Sequence, residues 1–438
     1  LAWPDPLTTC SNTITVSGGA GAEGSRFATH RDSRRMRQLA ILGGHPAFAE
    51  PLHVGRPNVG SEEQFLALTQ QVLASRRFTN YGPLVAQFER QISERLQVEH
   101  CVVVNNATSG LALAAIALGL SGSVIVPAFG FIATAHAMRL AGLRVLFADI
   151  DPRTHHIDCA SVLARIEPDT SAVVAVHLWG NPCDIAPLEQ LCEERGMKLL
   201  FDSAQAFGST CDGVPVGGFG NAEVFSFHAT KAINSFEGGA ITTRDAALAD
   251  KLRLLVNFGF AGEDQIDSWG INAKMPEVCA AMGITSLASA DAIFAHNLRI
   301  HDAYAAHLRG TEGLALLPYP RNEANSRNYV VLTVTDAFPL DRDALYHVLR
   351  AENVLARRYF NPAGHQAEPY RHLSENRRLT LPATERACRE VLCLPTGTSI
   401  TIDQVQRICE IIASAGEQAA AIRDAHALPE ERVDAAGR

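Results

Sequence analysis

Residues 101–150 read CVVVNNATSGLALAAIALGLSGSVIVPAFGFIATAHAMRLAGLRVLFADI, and this stretch decides the fold. Three short runs, CVVVNN, SVIVPA and RVLFADI, are apolar at nearly every position rather than at every second one. That pattern predicts strands buried on both faces. Between them, LALAAIALGL and IATAHAMRLAG carry helical spacing. Strands separated by helices must run parallel, because the chain crosses back over the sheet before each new strand.

The alternation continues outward. SAVVAVHLWG, MKLLFDSA, AEVFSFHA and EGGAITT read as further strands, with a helix around PLEQLCEERG, so the expectation is an α/β fold with a mostly parallel sheet of about seven strands. Beyond Leu287 a long helix through HNLRIHDAYAAHLRG leads to single strands such as YVVLTVTD, a pattern of a smaller C-terminal α+β domain. The expected boundaries are a flexible N-terminal extension over 1–50, a large domain over 51–295, a small domain over 296–414 and a tail over 415–438.

Composition narrows the function classes. The 438 residues carry 38 basic and 47 acidic side chains, which leaves no basic footprint for nucleic acid. No apolar run is long enough to cross a bilayer. The ten cysteines show neither a CxxC pair nor a disulfide framework, and no residue set has metal-ligand spacing. Arg31, Arg34, Arg35 and Arg37 precede no signal-type apolar segment. These features predict a reduced, cytoplasmic protein.

In open α/β sheets the ligand lies beyond the carboxyl ends of the strands. Four such places are polar. Asn105–Gly110, NNATSG, puts small residues and hydroxyls at a helix start, which suits either a phosphate or an ordinary cap. Asp202 closes a strand in FDSAQAFG, with Gln205 three residues on; a buried carboxylate needs a cation or strong donors, or else caps a helix. SFHATKAINSFEGG, 226–239, holds Ser226 and a lone lysine, Lys231, which desolvation could turn into a nucleophilic amine. Trp269–Met275 is a polar break before the helical PEVCAAMGITSL.

Taken in order, TNYGPLVAQFE, NATSGLALA, PAFGFIATAHA, FADIDP, HLWGNPCDI, FDSAQAFGS, SFHATKAINSFEGGAI, NFGFAG, GINAKMPEVCAAMGI and RRYFNPAGH resemble the DegT-type sugar aminotransferases, fold-type I enzymes that use pyridoxal phosphate (PLP). The likeness spans about residues 51–413. Within that family FHATK, NSFEGG, NFGFAG and GINAKM look most like the viosamine-forming branch, which aminates C4 of dTDP-4-keto-6-deoxyglucose.

The resemblance implies roles, residue by residue. Lys231 would form the aldimine with PLP and move the proton, while Asp202 would pair with the pyridine nitrogen. Ala107, Thr108 and Ser226 would hold the phosphate, Phe131 would stack on the ring, and Gln205 would lie near its hydroxyl. Asn272 would reach the cofactor phosphate of a neighbouring subunit, which implies a homodimer with shared active sites. Tyr81, Lys274, Arg357 and Arg358 are candidate substrate contacts, the cations for a diphosphate. Ala273 stands where many relatives have an aromatic residue, and Gln205 where many have histidine.

The implied reaction moves an amino group from a small-molecule donor, L-glutamate, through pyridoxamine phosphate to a nucleotide-linked 4-keto-6-deoxyhexose. Two other outcomes stay open at this level: the same transamination on a non-nucleotide carbonyl such as an aminocyclitol ketone, and a non-catalytic regulator on the same fold.

Overall fold

The structure, a computed structural model, describes residues 38–426. Seven strands form the central sheet: β1 (His100–Val104), β2 (Ser123–Pro127), β3 (Arg144–Ala148), β4 (Thr170–Val176), β5 (Lys198–Asp202), β6 (Ala222–Ser226) and β7 (Gly239–Thr243). Their spatial order is β1-β7-β6-β5-β4-β2-β3, and all pairings are parallel except those of β7, which runs antiparallel to both neighbours. Val124, Val126, Val174, Leu200 and Val224 belong to one core, Ile125, Val173 and Phe201 to the core on the other face. Burial on both sides is why these strands are apolar without alternation.

Helices pack close on the sheet. α1 (Pro83–Leu96) precedes β1, and α2 (Ala107–Ala117) and α3 (Ala133–Leu140) follow β1 and β2. A Cβ on Gly110 in α2 would stand 2.9 Å from Val224 Cγ1, so only glycine lets the helix approach β6 this closely. The chain then continues through α4 (Ala246–Val256) and α5 (Glu277–Ala288) into α6 (Ala290–Leu308).

The smaller layer is an antiparallel sheet of β8 (Leu314–Leu316), β9 (Val330–Val334) and β10 (Val391–Leu394), covered by α7 (Arg342–Ala351) and α8 (Ile402–Glu417). Its limits differ from the sequence reading in three places. The 295/296 boundary falls inside α6, whose Ile293 packs in a large-domain core while Ile300, Tyr304 and Leu308 pack in the small one. One continuous helix serves both cores, so no linker marks the change.

Residues 38–50 are not a flexible extension. Leu39 is buried in the small-domain core, the Glu352 carboxylate accepts the N–H groups of Ala40 and Ala47 at 2.7 and 2.6 Å, and Leu52–His53 pairs in parallel with Val354–Leu355. Positions 1–37, including the arginines named above, lie outside the described residues. Nor is 415–426 a loose tail, because Ala415, Ala419 and Ile422 are buried in the same core. Burial of those apolar side chains holds the helix Ala419–His426 in place.

The nine described cysteines are all free, and six of them are buried. No single described helix is long and apolar enough to cross a membrane.

Candidate active site

The carboxyl ends of β1, β2, β5 and β6 and the amino end of β7 meet along one edge of the sheet, and the polar residues gather there. Beyond β1, Asn106 caps α2: its side chain accepts Ser109 N–H at 2.9 Å and its carbonyl accepts Gly110 N–H. That leaves the N–H groups of Ala107 and Thr108, at the positive end of the helix, without a partner inside the helix. Gly239 pairs with Ser226 across β6 and β7, and a Cβ at Gly239 would lie 2.9 Å from Ala107 N. The bare glycine therefore brings the Ser226 hydroxyl and the helix end to either side of one point.

Asp202, at the end of β5, is buried. Its Oδ2 accepts the Thr134 hydroxyl at 2.6 Å and its Oδ1 accepts Ala204 N–H at 3.1 Å. No helix begins here, so the helix-cap alternative does not apply. Burial raises the carboxyl's pKa, opposed by the Thr134 and Ala204 hydrogen bonds and by the charges of Lys231 and His177. Two donors hold the carboxylate in place, yet they do not repay its desolvation; a cation at its open side would.

Lys231 supplies the counterpart. Burial lowers its amine below the ordinary lysine range, against the attraction of Asp202 and Tyr359. Its Nζ donates to Tyr329 Oη at 3.2 Å. A narrow cleft opens here, its lining including Gln205, Ser226, Lys231, Asn328 and Tyr329. Gln205 Oε1 accepts the N–H of Trp179 at 2.7 Å, a residue held in the left-handed region at φ 62°. With its carbonyl oxygen committed, Gln205 has its amide N–H₂ left to offer the cavity.

Phe131 and Thr134 line a neighbouring cleft with Phe147 and Gly364. Phe131 is 62% exposed, its ring tilted against Phe360 at 6.4 Å between centroids, which leaves apolar surface that a planar ligand could cover.

The other sequence-derived candidates scatter. Asn272 is exposed on its own chain, bridged to Asn257 beside the hairpin of Phe260–Gly262 and Gln265–Ile266. Lys274 Nζ lies 4.5 Å from the Phe258 ring centroid. Arg357 is exposed, with its backbone paired to Cys393. Arg358 turns to α7, donating to Asp343 at 3.0 Å and covering the Tyr346 ring at 4.4 Å. Tyr81, at φ 54°, buries its hydroxyl near the charges of Glu89 and Arg253.

Thr134 and Tyr329 join the site without having been candidates from the sequence. Thr134 sits in the first turns after β2, a strand end like the others, so topology alone could have pointed to it. Tyr329 reaches Lys231 across 98 residues of chain, and no local pattern signals that contact.

The assembled edge offers a helix end and hydroxyl for an anion, a buried carboxylate for a cation and, in the cleft shared with Ser226, an amine whose pKa burial lowers. A profile of the DegT/DnrJ/EryC1/StrS aminotransferase family matches residues 60–413. The chain belongs to that family. Among its relatives, dTDP-4-amino-4,6-dideoxy-D-glucose transaminase of Shigella dysenteriae is 34% identical over 83% of this chain and 98% of that protein. GDP-perosamine synthase of Vibrio cholerae is 31% identical over 81% and 95%. The crystal structure of DesI in the presence of its TDP-sugar product superposes with a TM-score of 0.85 at 44% identity, covering 89% of this chain and 99% of that one. The fold is that of the family's sugar aminotransferases, and the chain is an aminotransferase.

Proposed function

We propose that this enzyme uses PLP to transfer an amino group, from L-glutamate in the simplest case, to the C4 ketone of a nucleotide-linked 4-keto-6-deoxyhexose of the dTDP-4-keto-6-deoxyglucose type. The observation that carries the reading is the closeness of Asp202, buried at the end of β5, to the half-buried Lys231 of the neighbouring cleft, near enough for each charge to act on the other. The names of the relatives and of the DesI structure supply the substrate class.

The residues present fit the cofactor. Ala107 N–H, Thr108 and Ser226 suit its phosphate, and the Asp202 carboxylate suits its ring nitrogen, whose proton would stabilise the charge that burial penalises. Phe131 would cover the ring face, and the Gln205 amide, fixed by Trp179, would donate toward the ring oxygen. Bound there, PLP would supply the electron sink for the carbanion formed at the amino donor's Cα.

Lys231 would act as the base that takes the Cα proton and as the acid that returns it, a task that the lowering of its pKa by burial favours. Asp202 holds the cleft's charge, and Thr134 holds Asp202. Lys274 and Arg357 remain as cations for the diphosphate, since Arg358 is engaged by Asp343.

The reading includes a cytoplasmic homodimer. Phe258, Phe260, Ile266, Trp269 and Ile271 are 42–92% exposed on the segment that carries Asn272, an apolar surface of the kind that subunit contacts cover. Asn272 would then serve the partner's site.

Purified protein supplied with PLP should absorb in the visible and lose that band on addition of L-glutamate. Protein that stays colourless with PLP overturns the proposal.

A further inference from the structure

Lys231 must keep its amine in the cleft whether or not it carries the proton, and a long side chain with free torsions loses about 1.5–2 kcal/mol of entropy when fixed. Something has to fix it. Tyr329 accepts from Nζ at 3.2 Å, and the amine lies 5.9 Å from the same ring's centroid.

Tyr329 is itself held from several sides. It immediately precedes β9, only 7% exposed, with its ring set edgewise on Trp179 at 5.6 Å between centroids. Tyr319 Oη donates to its carbonyl at 2.7 Å. The preceding Asn328 donates to Thr230 carbonyl at 3.1 Å, tying this strand start to the residue before Lys231. The small domain thus delivers one hydroxyl, in a fixed place, to the large domain's lysine.

We propose that Tyr329 is the positioning residue for Lys231, its hydroxyl holding the amine at the cofactor cleft through both protonation states of the lysine. This rests on the assignment of Lys231 as the proton-moving amine. As an ammonium, Lys231 donates to the Tyr329 oxygen. As a neutral amine it accepts the hydroxyl proton, because the O–H rotor can turn. Burial, with the charges of Cys393 and Asp202 adding to it, keeps the phenol well above its ordinary range, so the hydroxyl keeps its proton throughout. The other charged or titratable groups acting on the amine are Asp202, at the end of β5, and Tyr359, after the strand Val354–Leu355.

The two hydrogen bonds are unequal, because one made by an ammonium is worth more than one made by a neutral amine. Tyr329→Phe keeps the ring and removes both, so the charged form loses more. Competitive acetylation of the apoprotein with acetic anhydride across pH, read at the Lys231 peptide by mass spectrometry, should show the amine's midpoint lowered by about half a unit to one unit. In the PLP-loaded enzyme kcat should fall about tenfold with a smaller change in KM. Tyr319→Phe, which frees the Tyr329 and Trp179 carbonyls and leaves the Tyr329 hydroxyl in place, should shift the midpoint in the same direction by less.

A Tyr329→Phe labelling curve and kcat that both match wild type would overturn the proposal. Wild-type protein that fails to take up PLP would instead overturn the assignment of function, so the two failures are distinct.

Discussion

Replacing Thr134 with valine tests what keeps Asp202 ionised. Valine preserves the shape of the threonine and removes the hydroxyl that donates to Asp202 Oδ2 at 2.6 Å, leaving Ala204 N–H on the other oxygen. A hydrogen bond to a charged group contributes about 1.5–3 kcal/mol. At 1.36 kcal/mol per unit, losing it raises a carboxyl pKa by about 1–2 units. Asp202 already lies above the ordinary carboxylate range because of burial, so the variant moves it further toward neutrality. Only the carboxylate can neutralise a ring cation, so the pH at which cofactor binding reaches half its plateau should rise by the same about 1–2 units. The assay is titration of apoprotein with PLP at a series of pH values, followed by tryptophan fluorescence, with Thr134→Ser as the control that restores the donor. Binding curves for Thr134→Val that superpose on wild type at every pH would refute the reasoning.

Asp202→Asn should separate stability from function. Because the folded pKa of Asp202 is raised, its favourable contribution is fully present below the unfolded carboxyl pKa and is lost as pH rises through the folded value. At neutral pH the asparagine apoprotein should therefore melt higher than wild-type apoprotein, the gap closing in acid, while PLP gives it less added stability; a lower Tm at neutral pH counts against a desolvated carboxylate. Lys231→Met probes the opposite sign. A lysine whose folded pKa is lowered leaves the unfolded chain holding more protons between that value and the ordinary lysine range, so wild-type apoprotein should gain stability with rising pH there and the methionine variant should not, as read by urea denaturation. Glu277→Ala removes the buried carboxylate that accepts the N–H groups of Leu84 and Val85 at the start of α1, at 2.9 and 3.1 Å. Two stranded donors should cost about 2–4 kcal/mol in chemical denaturation, and a loss below about 1 kcal/mol would mean that water replaces the cap.

The central sheet was legible because a strand buried on both faces must be apolar along its whole length, and CVVVNN, SVIVPA and RVLFADI are. β7 was legible as a strand but not in its direction, since EGGAITT carries no mark of antiparallel pairing. The domain boundary was hidden because α6 is amphipathic throughout while the core it faces changes between Ile293 and Ile300. Residues 38–50 read as part of an extension because regular patterning begins only at about Pro51; what holds them is the Glu352 carboxylate, some 300 residues away in sequence. In the site, Asp202 stood out because a charge at the end of a buried strand must have a reason, and Lys231 because the ordered motifs around it resemble a family that keeps a lysine there. Thr134 and Tyr329 did not, because a threonine in a helix and a tyrosine at a strand start are ordinary until tertiary contacts set them against those charges. Arg358 looked like a diphosphate ligand only while Asp343 and Tyr346, its partners on α7, were unknown.

The acceptor carries the central claim. Enzyme converted to the pyridoxamine phosphate form with L-glutamate, freed of the donor, and mixed separately with dTDP-4-keto-6-deoxyglucose, a UDP-linked analogue and a free ketone reports the acceptor by return of the visible band. Fastest return is expected with the dTDP-linked sugar; return with the free ketone alone, or with none of the three, would rule out a nucleotide-sugar acceptor.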